Sequence, residues 1–294
     1  MRKSMVFVAL ALILILPGCN TAASLSESDG TDPIVTTAAV MTSADAIATK
    51  EAAVTTALET IATTPTLPPN TSGKVEIRTI AGSLVTPLLS FLITSVDNET
   101  VALNPAQMPR RNELLINPVL IAMTSTEDDQ NDPEFVNSYD CEVIDSEEAD
   151  VTVGDFHIYS IQSSYRDDVI SDFSGNNLVV VEINGLRIVH MGDIGQTFLT
   201  DEQLEALGEI DIAFMQFENT RSSMSLKNEK GFTLIEQLNP KIIIPTRFKE
   251  ACIPILTEKY GDITYFDDVL AIGPEDLPED TLNVYMMRNN YLFD

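Results

Sequence analysis

The stretch NLVVVEINGLRIVHMGDIGQTFLTDEQLEALGEIDIAFMQ, Asn177–Gln216, decides the fold. Leu178–Glu182 is a largely β-branched apolar run, and Asn184-Gly185 is the two-residue signal of a tight hairpin. Arg187–His190 reads as the returning strand. Met191–Gly195 then breaks the alternation and sets Asp193 just past a strand end, between Gly192 and Gly195. Thr200 with Gln203 forms a capping box that opens a short helix over Asp201–Leu207. Ile210–Met215 is the next strand. A hairpin, a glycine-flanked carboxylate, a helix and a further strand predict a layered sheet-and-helix domain with a candidate site at Asp193.

Downstream, Phe217–Lys230 is polar and reads as a loop or lid. A helix is expected over Phe232–Leu238 and a strand over Lys241–Ile244, closed by Pro245. Ala251–Glu258 reads as a helix whose regular part begins after Pro254. Ile263–Phe266 and Leu282–Met287 are further strands. Upstream, strands are expected at Val75–Ile80, Leu84–Val96 (irregular at Pro87), Thr100–Leu103, Pro118–Met123, Cys141–Ile144, Val151–Val153 and Phe156–Ile161. A helix starts at Pro133, and Ser163–Asp168 is a loop. Antiparallel pairs early and strand–helix alternation late predict stacked sheets with helices outside.

Composition narrows the chemistry. The chain of 294 residues carries 45 acidic side chains against 17 Lys and Arg, a net charge of −28. So few cations disfavour a nucleic-acid partner. With 2 histidines in the whole sequence, a histidine-rich metal site cannot be assembled. Of the 3 cysteines, Cys141 and Cys252 read equally well as a disulfide or as two buried thiols.

The N-terminus has a separate logic. Arg2 and Lys3 precede the apolar run Met5–Leu16, which is too short to favour a spanning helix. Leu16-Pro17-Gly18-Cys19 resembles the bacterial lipobox, which implies a signal peptide over 1–18 and lipidation of Cys19. The lipid bilayer is then a partner and the cell envelope the location; Asn20 points to the outer membrane in a Gram-negative organism. Residues 19–73 are rich in Thr, Ala and Pro and read as a disordered tether, leaving 74–294 as the globular domain.

Three segments, HMGDIG at 190–195, LTDEQLEALGEIDIAFM at 199–215 and LIEQLNPKIIIPTRFK at 234–249, resemble the metallo-β-lactamase fold superfamily, nearest its L-ascorbate-6-phosphate lactonase-like branch. The resemblance implies an α/β fold of four layers, an αββα sandwich, with a metal site at one edge of the two sheets. Active members bind metals through histidines and aspartates and activate water for hydrolysis. The family's T-H-x-H-x-D-H loop after a buried strand corresponds to Thr124–Gln130. Here Ser125, Glu127 and Gln130 replace its histidines, and Asp129 is kept. Tyr165 stands at the next histidine, Asp193 at the bridging aspartate, Arg247 at the last histidine of a P-x-H loop, and Asn104-Pro105 at an earlier D-P pair.

The resemblance therefore implies a vestigial site at Asp129, Tyr165, Asp193 and Arg247, with no usual cofactor. A guanidinium at position 247 repels a metal and can pair with Asp193 or Asp129. The expected function is a tethered binding or structural module for a small molecule or an envelope protein. The alternative is a hydrolase of lactones, esters or phosphodiesters that holds a divalent cation on Glu127, Asp129 and Asp193. Glu127–Asp129 also reads as a solvated acidic loop, and His157 and His190 as structural histidines.

Overall fold

The computed structural model describes residues 64–287, apart from 84–85, 128–129, 167, 169, 171–174 and 268. The signal segment, Cys19 and most of the expected tether lie outside the described residues. The strands are β1 (Val75–Ser83), β2 (Thr86–Thr94), β3 (Thr100–Leu103), β4 (Leu120–Met123), β5 (Glu142–Asp145), β6 (Asp150–Val153) and β7 (Phe156–Ser164). They continue with β8 (Gly175–Ile183), β9 (Leu186–His190), β10 (Ile212–Gln216), β11 (Ile242–Thr246), β12 (Thr264–Phe266), β13 (Leu270–Ile272) and β14 (Asn283–Met287). The helices are α1 (Pro133–Val136), α2 (Asp201–Leu207), α3 (Lys230–Leu238) and α4 (Cys252–Tyr260).

The first sheet has 6 strands in the order β13-β1-β2-β3-β4-β5, and the second has 8 in the order β12-β14-β11-β10-β9-β8-β7-β6. In the second sheet, β6 to β9 pair antiparallel as successive hairpins. From β9 onward the pairing is parallel. Asn184 and Gly185 both adopt positive φ, 45° and 83°, as the tight β8–β9 turn requires.

Alternation along the strands builds the layers. Val179, Val181, Ile188, Ile212, Phe214, Ile242 and Ile244 point between the sheets and meet Ile77, Phe91, Ile93 and Leu120. There the Phe91 and Phe214 rings stack with centroids 4.0 Å apart. The opposite faces of β8, β10 and β11 bury Leu178, Val180, Ala213 and Ile243 against Leu207, Leu234, Ile235 and Leu256 of α2, α3 and α4. Phe135 of α1 covers Leu92, Ala102 and Ile121 on the far side of the first sheet. The result is the expected αββα sandwich.

Several details depart from the sequence reading. Strand β11 runs through Pro245 to Thr246. Its neighbour β14 pairs only with Ile242 and Ile243, so on that side no ladder bond is lost at the proline. Helix α4 begins at Cys252 and takes Pro254 into its first turn, where backbone N–H groups have no intrahelical acceptor. Ser163 and Ser164 belong to β7 rather than to a loop. Strand β13 has no counterpart among the expected strands; it forms by pairing with Val75–Ile77, far away in sequence. The end of the expected tether is docked: the Leu67 amide donates to Leu115 O at 2.9 Å and the Leu115 amide to Pro65 O at 2.8 Å. Asn70 is buried and ties down Lys74 O and Ser95 O. Cys141 packs outside the first sheet and Cys252 outside the second, both as free thiols, so the disulfide reading is set aside.

Candidate functional site

Strands β3, β4, β9, β10 and β11 deliver their C-terminal ends to one edge of the sandwich. Asn104 follows β3 with φ 46° and is fully buried. Its Oδ1 accepts the Thr124 amide at 2.7 Å, and its Nδ2 donates to Thr124 Oγ1 at 3.0 Å. Thr124 in turn bonds Gln130 Oε1. These bonds fix the start of the loop after β4, the segment Thr124–Gln130.

His190 forms the floor. It is fully buried between Phe91 and Phe214. Its Nδ1 accepts the Gly192 amide at 3.0 Å, and Nε2 faces Leu89 O at 3.1 Å, an arrangement of the neutral Nε2–H tautomer. Burial, with a smaller contribution from Arg247, pushes its pKa down to about 4. It is a structural histidine, as expected.

The next turn needs its glycines. Gly192 has φ 58°, and a Cβ there would collide with Asn176 Oδ1 and Thr124 Oγ1. A Cβ on Gly195 would strike the Tyr165 carbonyl. With both glycines in place, Asn176 Oδ1 accepts the Asp193 amide at 2.8 Å and the Gly195 amide reaches Ser164 O at 2.7 Å. The capping box of α2 anchors the segment after this turn: Gln203 bonds the Thr200 amide and also exchanges amide bonds with Gln196.

Asp193 and Arg247 come together. Arg247 Nε donates to Asp193 Oδ1 at 2.5 Å and Nη2 to Oδ2 at 2.7 Å, a bidentate pair. Asp193 is 0% exposed and Arg247 5%. Arg247 holds φ 37°, a strained conformation for a residue with a Cβ. That conformation turns its carbonyl to accept the Phe217 and Glu218 amides at 3.3 and 2.8 Å.

Tyr165 is nearly buried beside this pair. Its burial, then the charges of Asp193 and Glu127, push the phenol above its usual range, against opposing pulls from Arg221 and Arg247. Ser125 is buried, its Oγ accepting the Glu127 amide at 3.2 Å. Glu127 is half exposed and lies 3.6 Å from Arg221 on the loop after β10. Asp129 lies outside the described residues. Of the remaining ionisable side chains, His157 sits at the opposite edge between Asp150 and Glu182, and Glu218 pairs with Lys249. Arg221, Asn176 and Thr246 do not stand out in the sequence, where each is one polar residue among many in its loop or strand end.

A metal fits these residues poorly. Among the described residues, no group of three or more His, Cys, Asp or Glu is placed to hold one. Both oxygens of Asp193 already face a guanidinium that cannot lose its proton. The phenol of Tyr165 is held in its protonated, weakly ligating form. Ser125 and Gln130 offer weak neutral oxygens where imidazoles would be needed.

Comparison with known proteins agrees on the fold. The family model of the beta-lactamase superfamily domain matches residues 89–247. That is more than half of the chain, and the chain belongs to this superfamily. A candidate zinc-dependent hydrolase of the metallo-β-lactamase superfamily from Thermotoga maritima is 18% identical, with a TM-score of 0.55 over 72% of this chain and 100% of that one. A candidate metal-dependent hydrolase from Parabacteroides distasonis is 16% identical, with a TM-score of 0.48 over 67% and 88% of the respective chains. No curated protein matches the sequence significantly.

Proposed function

We propose that this chain is a non-hydrolytic member of the superfamily, a binding module tethered to the cell envelope through lipidated Cys19. The observation that carries the reading is the buried bidentate pair between Arg247 and Asp193. The guanidinium neutralises the one bridging carboxylate of the described site and takes the place of the metal's charge. It cannot supply a bound hydroxide, the nucleophile of metal-dependent hydrolysis in this fold. The carboxylate-only cation site of Glu127, Asp129 and Asp193 is disfavoured by the same contact, because a cation would have to displace Arg247 from Asp193. Kinship to the lactonase-like branch remains part of the proposal and concerns ancestry rather than activity.

The test is a panel of lactone, ester, phosphodiester and β-lactam substrates, run on the purified full chain with and without added zinc or manganese. No turnover above background is expected in any arm. Metal-stimulated turnover that disappears in Asp193→Asn would overturn the reading and restore the hydrolase alternative. Growth in labelled palmitate tests the tether: label is expected on the native chain and absent from Cys19→Ser, and an unlabelled native chain would refute the anchor.

A further inference from the structure

The end of the second sheet away from Asp193 holds a cavity of about 520 Å³, with Asp155, His157, Glu182, Arg187, Glu209 and Asp211 in its lining. Phe156 and Ile158 point between the sheets, so His157 faces outward, with Glu182 and then Arg187 as its cross-strand neighbours. Resident cations match the inner carboxylates. His157 Nδ1 donates to Glu182 at 2.9 Å and Nε2 to Asp150 at 2.8 Å. Arg187 Nε donates to Glu182 at 2.8 Å, and Lys241 Nζ to Asp211 Oδ1 at 2.8 Å. Asp155, in the β6–β7 turn, and Glu209, just after α2, are left over: both are exposed, and neither has an ion-pair partner among the described residues. Glu99 accepts the Asp155 amide at 2.7 Å and adds a further carboxylate beside it.

We propose that this groove docks an extended basic segment of a partner protein, its Lys or Arg side chains meeting Asp155 and Glu209 and its backbone running along β6. The charge left unmatched in the groove is negative, so its complement is cationic. The free edge makes that complement a peptide. Strand β6 ends its sheet and pairs with β7 alone among the described residues, so its outer N–H and C=O groups are open to a further strand. Thr152 of β6 also lines the cavity, which brings that strand and the groove together. The site is separate from the Arg247–Asp193 edge and stands whether or not that edge hydrolyses anything. His157 tunes its charge. The groups facing the imidazole are Asp150 on β6, Glu182 on β8, Arg187 behind Glu182, and Tyr159 on its own strand, with Asp155, Glu209 and Asp211 around the cavity. Its bonds to Glu182 and Asp150 hold its pKa above the usual value. Loss of its proton makes the groove more negative by one charge, so a basic segment binds tighter as pH rises through the folded pKa.

The experiment is calorimetric titration of the full chain, at low salt, with a capped peptide of alternating lysine and valine that carries three lysines; spermidine is the comparator of equal charge. Saturable peptide binding tighter than about 1 mM is expected, weakening as salt is added. Asp155→Asn combined with Glu209→Gln should weaken it about fivefold or more. Glu258→Gln combined with Asp262→Asn removes as many exposed carboxylates from the α4 end, and should change it less than about twofold. All four positions are exposed, so unchanged melting temperatures are expected and separate lost binding from lost fold. Raising pH through the titration of His157 should tighten binding about two- to fivefold in the native chain and not in His157→Gln. Absence of saturable binding would overturn the proposal, as would equal losses in the two double variants, which would mean that net charge alone attracts the peptide. Spermidine binding as tightly as the peptide would replace the partner protein with a small amine, and a pH step that survives in His157→Gln would remove the imidazole from the site.

Discussion

Asp193 is fully buried and presents both oxygens to one guanidinium, so each partner depends on the other. Removing one member of such a pair costs about 3–5 kcal/mol, whereas replacing both with apolar groups can be nearly neutral. Asp193→Asn is therefore expected to lose about that much stability in urea unfolding, and Asp193→Leu with Arg247→Leu much less. A loss below about 1 kcal/mol for the single variant would show that the pair is solvated. His190 makes a second prediction. Its folded pKa, about 4, lies below the unfolded value near 6.5, so its contribution is complete above the unfolded value and is lost as pH falls toward the folded one. About 3 kcal/mol should disappear between those pH values in the native chain, and His190→Asn should lack that component; equal pH dependence of the two would contradict a buried neutral imidazole.

At the scale of elements, local signals were legible and distant ones were not. The β8–β9 turn and the capped helix α2 are written in Asn184-Gly185 and in Thr200 with Gln203, because their partners lie within a few residues. Strand β13 is a three-residue piece that exists by pairing with β1, and no local pattern announces it. Pro245 and Pro254 misled because a proline's effect depends on whether its missing N–H had an acceptor, a tertiary matter. The site was half legible. The Arg247–Asp193 pairing followed from the family positions, whereas the Arg221–Glu127 contact joins two loops that are unrelated in sequence.

Edge strand β6 carries its own pH dependence. His157 sets Nδ1 2.9 Å from Glu182 and Nε2 2.8 Å from Asp150, a geometry that only the imidazolium satisfies on both sides. Hydrogen bonds to Glu182 and then Asp150 raise its pKa. The folded pKa is the higher one, so the stabilisation is complete below the unfolded value and is lost as pH rises through the folded one. Amide protection factors over Asp150–Val153 should drop across that rise and show no such step in His157→Gln. An identical step in the variant would remove His157 as its cause.

Across the whole molecule, the two sheets and their covering helices keep the superfamily frame, and one edge carries the Asp193–Arg247 pair. The hairpin, the glycine-flanked Asp193 and α2 still hold that edge in register, and they now present a carboxylate to an arginine. The most direct measurement is anomalous diffraction at the zinc edge from crystals of this chain soaked in zinc. The account predicts Arg247 seated on both oxygens of Asp193 and no anomalous peak within bonding distance of that carboxylate. A zinc peak on Asp193, with the Arg247 side chain displaced from it, would contradict the account.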